Sequence, residues 1–310
     1  MHYADDIESQ GFAIVPDVLS EIERQALSKN VVAQFSSNTS YHPRSQNISR
    51  YASRAHIPMP LDELAWTVME NVVEKASDDL KATLGATREL VELSSLTVFP
   101  GAQAQEWHPD VTGNMLSVFV SLVPTEQDVG ALEVIPGSHT SESHPDETRG
   151  VALEVPAGSA VLMRSSLWHR GGANRSVDRI RPIFYFTLGD PSLEGPTYSI
   201  RESLRGAHRM DDFERPPGRR RFGWNPGSVP VLAPGRQITQ SLDGSQLLLI
   251  GPSGIADGLH YTTELGWLKD VLANLHSVRT VEDIATCLER PVENVVAVLS
   301  QLGRDGWVCH

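Results

Sequence analysis

Apolar and polar positions repeat with different periods in different parts of the chain. The first 85 residues carry helical spacing interrupted by one short apolar run. "MHYADDIESQGFAIVPDVLSEIERQAL" reads as a helix, a short strand and a second helix. Ser20 precedes the second helix and Glu23 follows three residues later, the pattern of a capping box. "LAWTVMENVVEKASDDLKATLG" keeps apolar residues at helical spacing and stops at Gly85, a usual C-cap residue. From about residue 89 the period shortens. "ELVELSSLTVFPG", "NMLSVFVSLVPT", "GALEVIPGSH", "GVALEVPAGSAVLMRSSLWH" and "RPIFYFTLGD" are short, rich in Val, Ile, Leu and Phe, and punctuated by Pro, Gly and Asp. Short strands after N-terminal helices predict a mainly β fold with helical cover, a sandwich or jelly roll.

The pattern changes again near residue 206. "GAHRMDDFERPPGRRRFGWNPGSVP" lacks apolar periodicity and predicts a linker or crossing loop over 206–229. "RQITQSLDGSQLLLIGPSG" then predicts a hairpin turning at Asp243–Gly244. Three helical segments follow, "TELGWLKDVLANL", "TVEDIATCLER" and "VENVVAVLSQLGRDG". The second begins at Thr280, the third at Pro291–Val292 with a stop at Gly303 or Gly306. The final "GWVCH" adds a strand. Residues 230–310 thus predict a small winged-helix-like α+β module.

Composition narrows the setting. The 310 residues are 40% hydrophobic and 21% charged, ordinary for a globular protein. No apolar run approaches the roughly 20 residues that span a bilayer, and the start lacks the basic and apolar regions of a secretory signal. Two cysteines, Cys287 and Cys309, are too few for a disulfide framework and fit a reducing cytoplasm. A net charge of −13 argues against nucleic acid as a partner.

The chemistry begins with a duplicated tripeptide. His-Pro-Asp occurs at 108–110 in "AQEWHPDVTG" and at 144–146 in "SESHPDETRG". With 11 His in the chain, roughly one or two His-x-acid matches arise by chance, so context must decide. The first copy lies between two strand signals. The second lies in a polar stretch and reads as a solvated surface loop. His108 and Asp110 therefore form the candidate ligand pair. His169, at the end of "AVLMRSSLWH", is the candidate third ligand. Two His and one carboxylate on one face of an ion leave three positions open, the arrangement of non-haem Fe(II) oxygenases. Arg181 opens "RPIFYF", which could run antiparallel beside the strand ending at His169. Its guanidinium would then reach the same interior and bind a carboxylate bidentately. Arg175 and Arg179 read as loop residues.

At these residues the chain resembles the phytanoyl-CoA dioxygenase family of Fe(II)/2-oxoglutarate oxygenases. The resemblance spans roughly residues 5–200 and rests on "GFAIVPDVLS", "PGAQAQEWHPD", "GALEVIPGSH", "VPAGSAVLM" and "LWHRGGANRSVDRIRP". It implies a double-stranded β-helix over an oxygenase domain at 1–205. It implies Fe(II) held by His108, Asp110 and His169. It implies 2-oxoglutarate bound by Arg181, with Arg179 as fallback and Gln105 as a further contact, and O2 at the last position. His139 is implied to be structural. Succinate and CO2 leave, and a substrate C–H is oxidised. Because Asp110 is present, hydroxylation is favoured over halogenation, with desaturation, epoxidation or ring closure as alternatives. The expected substrate is a small molecule or biosynthetic peptide residue of specialised metabolism. The alternative of another class is a non-catalytic cupin-like binding protein. The segment after 230 resembles winged-helix modules that bind leader peptides, and equally ones that pack on a core or form a homodimer. Tyr41, His42, Arg44, Arg50 and Arg54 read either as contacts to an anionic substrate or as a solvated loop.

Overall fold

The structure is a computed structural model. It describes residues 2–37, 53–86, 88–111, 113–141, 143–190, 200, 204, 207–214, 227, 229–232, 237–240, 247–250, 256–258, 271–272, 275, 279–304 and 307–309. The chain divides into two compact units. The first comprises Met1–Pro60, Leu64–Ile200 and Arg209–Glu214; the second comprises Leu61–Glu63, Arg201–His208 and Arg215–His310.

The first unit begins with helix α1 (Tyr3–Gln10). Gly11 ends it at φ 89°, donating its N–H to the Ile7 carbonyl. Strand β1 (Phe12–Val15) follows, then α2 (Glu21–Ser37). The Ser20–Glu23 capping box forms in both directions. The Ser20 N–H donates to Glu23 Oε2 at 2.8 Å, and the Glu23 N–H donates to Ser20 Oγ at 3.3 Å. After β2 (Arg54–Pro58), helix α3 (Glu63–Leu84) buries one side through Val68, Met69, Val72, Val73 and Leu80. It ends at Gly85, as its spacing requires.

Seven further strands complete the unit: β3 (Glu89–Val98), β4 (Met115–Ser121), β5 (Leu132–Val134), β6 (Val151–Leu153), β7 (Ala160–Arg164), β8 (His169–Gly171) and β9 (Arg181–Gly189). They form two antiparallel sheets. The larger has the order β1-β7-β4-β9-β3-β2 and the smaller β6-β5-β8. The sheets meet through Val134, Leu153 and Val155 from one side and Val161, Met163 and Phe119 from the other. Burying each such side chain stabilises the fold by about 1.5–3 kcal/mol. Every residue of β9 is buried, because the opposite sheet covers one face and α2 packs on the strand from outside. This is the jelly roll that the strand pattern predicts.

Two sequence-based expectations need correction here. "AVLMRSSLWH" is not one strand ending at His169. The chain turns at Ser165–Trp168, where the Leu167 N–H donates to the Arg164 carbonyl, and His169 opens β8 in the other sheet. Nor does Arg181 lie on a strand beside His169, because β9 pairs with β3 and β4. The two residues face each other across the sandwich.

In the second unit, β11 (Gln237–Gln240), β12 (Leu247–Ile250) and β13 (Ala256–Gly258) form an antiparallel sheet. The Asp243–Gly244 turn falls outside the described residues. Helix α4 (Val281–Cys287) starts at a Thr280–Asp283 capping box, and α5 (Val292–Arg304) follows. The terminal strand β14 (Val308–Cys309) pairs with β10 (Val231–Leu232). Val281, Ile284, Val295, Leu299, Leu302 and Trp307 form this unit's core.

Candidate metal centre

Between β3 and β4 the chain runs as an extended segment beside β8. The Gln105 N–H donates to the Gly171 carbonyl, and His108 and His169 exchange backbone hydrogen bonds, all at 3.0 Å. The Asp110 N–H donates to the Ser165 carbonyl at 2.8 Å. His108 is therefore fixed by sheet-like pairing within a crossing segment rather than at a strand end. In an extended chain, residues two apart share a face. His108 and Asp110 point inward while Trp107 points outward. The same alternation turns His169 and Gly171 inward and Arg170 outward. On that outer side the Arg170 guanidinium lies 4.5 Å from the centre of the Trp107 ring and its Nε donates to Glu133.

His108, Asp110 and His169 offer three ligand atoms within 4.8 Å of one another, the arrangement that could hold a metal ion. The two Nε2 atoms stand 3.8 and 3.6 Å from the Asp110 carboxylate oxygens. Each imidazole is oriented by its own strand. His108 Nδ1 lies 2.7 Å from the Glu106 carbonyl and His169 Nδ1 lies 2.8 Å from the Leu167 carbonyl. A carbonyl only accepts, so both Nδ1 atoms carry a proton and both Nε2 atoms face the carboxylate. Burial, opposed by the nearby Asp110 charge, holds the His169 imidazole below its usual pKa, in the neutral form a metal requires.

A cavity of about 220 Å³ opens onto these residues. Arg181 lines it from β9, 1% exposed, and no acceptor among the described residues meets its Nε. Burial, with the Arg54 charge second, pushes its guanidinium down to about 9. An anion in the cavity would remove that penalty. Gln105 also lines the cavity, and its Oε1 accepts the Gly171 N–H at 2.7 Å. Arg179 does not reach it. Its guanidinium lies on the surface, ion-paired with Glu126 and Asp128.

Several further groups occupy the inner face, and of these only Arg54 is marked in the sequence, as an anionic-substrate contact or a solvated loop residue; it is instead buried on a strand. Arg54 and His56 on β2, Glu92 on β3 and Tyr185 on β9 all face inward. Tyr185 Oη lies 2.5 Å from His56 Nε2, and Glu92 accepts the Thr187 hydroxyl at 2.5 Å. Burial drives the His56 imidazole down to about 4, against the opposing effect of Asp110. Tyr41, His42, Arg44 and Arg50 lie outside the described residues.

The second His-Pro-Asp contributes no ligand atom to this cluster. Asp146 caps a 3₁₀ turn over Glu147–Arg149, accepting from the Thr148 N–H at 3.0 Å. His144 is exposed, yet its ring packs edge-on against Trp168 at 4.4 Å. The loop is thus better ordered than a purely solvated stretch. His139 packs against the backbone at Gly11, where a Cβ would stand 2.6 Å from its Nδ1, and its Nε2 lies 3.1 Å from the Glu8 carbonyl. It plays no part in the cluster.

A family model, phytanoyl-CoA dioxygenase, matches residues 7–183, which include the cluster, all but one of the residues lining the cavity, and the start of β9. The chain belongs to the phytanoyl-CoA dioxygenase family. That match takes in β1 to β8 and stops within β9. The structure of SnoN, the non-heme alpha ketoglutarate dependent epimerase from nogalamycin biosynthesis, is similar at TM-score 0.51 and 18% identity. The match covers 66% of this chain and 89% of that one. EctD from S. alaskensis, solved with 2-oxoglutarate and 5-hydroxyectoine, is similar at TM-score 0.50 and 20% identity, over 69% of this chain and 84% of that one. At these identities the likeness concerns the fold. No curated protein matches the chain by sequence. Among the described residues no helix is long and apolar enough to cross a membrane.

Proposed function

We propose that this phytanoyl-CoA dioxygenase family member is an Fe(II)- and 2-oxoglutarate-dependent oxygenase that hydroxylates a C–H bond of a small molecule. One observation carries the reading. A two-His, one-carboxylate cluster and a buried guanidinium with an unmet Nε face the same cavity. A metal-binding structural site would have no use for the arginine, and a plain anion site would have none for the cluster.

The donor set fits the ion. His108 and His169 each turn an Nε2 atom toward Asp110, and Asp110 would supply the charge that balances a divalent metal. Three protein ligands leave room for a chelating keto acid. Arg181 would hold the far carboxylate of 2-oxoglutarate, and its fork suits that group. When bound, iron would activate O2 as the oxidant, the keto acid giving up two electrons as it leaves as succinate and CO2. The chain supplies position and dryness. Phe119, Leu132, Val155 and Ile183 wall the cavity with hydrocarbon, so Arg181 meets its anion away from water. Tyr185, His56 and Glu92 offer polar contacts on adjacent strands. SnoN has been solved with Fe3+, alpha ketoglutarate and nogalamycin RO, and EctD with 5-hydroxyectoine, which supports a small-molecule substrate of specialised metabolism.

The test is anaerobic addition of Fe(II) and 2-oxoglutarate. A weak visible charge-transfer band is expected in the wild type and none in His108→Ala. Its absence from folded wild-type protein would favour the cupin-like binding protein instead. For the second unit we propose a packing or recognition role. A chain ending near residue 225 that folds and keeps its substrate KM would exclude leader-peptide capture.

A further inference from the structure

Arg54 is as deeply buried as Arg181, at 1% exposure, and begins β2. It pairs in register with Val98, and Val98 pairs with Arg181, so both guanidinium groups enter from one face of the large sheet. Arg54 Nη2 donates to three carbonyl oxygens: Gln103 at 2.8 Å, Gly171 at 3.1 Å and Gly172 at 2.7 Å. These belong to the two segments that carry the histidines. Gln103 lies five residues before His108, and Gly171 and Gly172 lie two and three residues after His169.

Gln105 completes the link through its two bonds with Gly171. Gly171 is the shared point. A Cβ there would stand 2.7 Å from Arg54 Nη1 and 2.7 Å from Gln105 Oε1, so a larger residue would displace one of these two side chains. Burying a cation beside another cation is unfavourable, and a hydrocarbon side chain would avoid that cost. What the guanidinium gives in return is a rigid, planar donor that reaches carbonyls on two separate segments at once. A lysine ammonium on a flexible stem cannot fix the same geometry.

Resting on the metal-centre reading above, we propose that Arg54 is its positioning residue. It sets the separation of the two histidine-bearing segments, and with it the placement of His108 and His169, from behind the cavity wall. It is not among the residues that line the cavity.

The test titrates full-length apoprotein with Co(II) alone and reads the visible d–d absorption, whose wavelength and intensity report ligand geometry. Wild type and His108→Ala set the two ends of the scale. A wild type that binds no Co(II) through His108 overturns the metal centre itself, and the role of Arg54 with it. If the centre stands, Arg54→Lys should bind Co(II) at least tenfold more weakly, with displaced and weakened bands. Gln105→Ala should show a smaller defect in the same direction. Arg181→Met, the matched buried arginine, should keep the wild-type spectrum. Wild-type affinity and bands in Arg54→Lys overturn the proposal. So does an equal loss in Arg181→Met, because the effect would then belong to any buried arginine. If Arg54→Lys does not fold, Gln105→Ala decides, and an unchanged Kd and spectrum there overturn the proposal.

Discussion

The two His-Pro-Asp segments are the same three residues in two physical settings. At 108–110 the backbone is paired to the opposite segment, so the side chains alternate strictly and two of them converge on His169. At 144–146 the backbone bends into a 3₁₀ turn, Asp146 is used up as its cap, and His144 faces solvent and the Trp168 ring. A ligand set is thus a property of the hydrogen bonds that aim it. The tripeptide supplies atoms, and the neighbouring strand supplies direction.

The contrast breaks first if the 108–110 copy proves dispensable. His108→Ala, Asp110→Ala and His169→Ala should each reduce succinate release to background while leaving far-ultraviolet circular dichroism unchanged. Next in size is Arg181→Met. Loss of a charge-assisted carboxylate bond of about 2–3 kcal/mol should raise KM for 2-oxoglutarate roughly 30- to 150-fold. Acid should then expose the buried imidazoles around the first copy. His56 titrates near 4 in the folded chain and near 6.5 when unfolded. The unfolded state therefore takes up a proton that the folded state refuses. Stability is complete above pH 6.5 and falls as pH drops toward 4, by roughly 3 kcal/mol at most. Urea melts across that range should show the slope, and His56→Gln should flatten it. The smallest effect belongs to the other copy. His144→Ala should leave kcat and KM within about twofold of wild type, as expected for an exposed side chain.

Much of the scaffold was legible in the sequence, and the exceptions share a cause. Ser20, Thr280 and Gly85 act where local chemistry alone decides, and each ends or begins its helix as read. The short Val- and Phe-rich runs became strands because burial favours them on either face. The break at Ser165–Trp168 escaped notice because its apolar neighbours, Met163 and Leu167, continue the strand pattern across a turn. The inner residue His56 escaped, and Arg54 was read only as a loop residue facing an anion or solvent, for a different reason. Alternation assigns polar residues to water, yet β2 turns its polar face inward toward a site. His108, Asp110, His169 and Arg181 stood out in the sequence because a metal and a dicarboxylate would demand particular residue types. The residues that position them act through carbonyl groups, which every residue has, and so leave no mark in composition.

A tryptophan precedes each histidine of the cluster, Trp107 before His108 and Trp168 before His169. Alternation turns both indoles away from the cavity while keeping them one residue from it. One lies beneath a guanidinium and the other touches the imidazole of the non-ligating copy. The protein therefore carries its own pair of fluorophores, covalently adjacent to the groups whose occupancy is in question. A paramagnetic ion held there should quench their emission without any added dye.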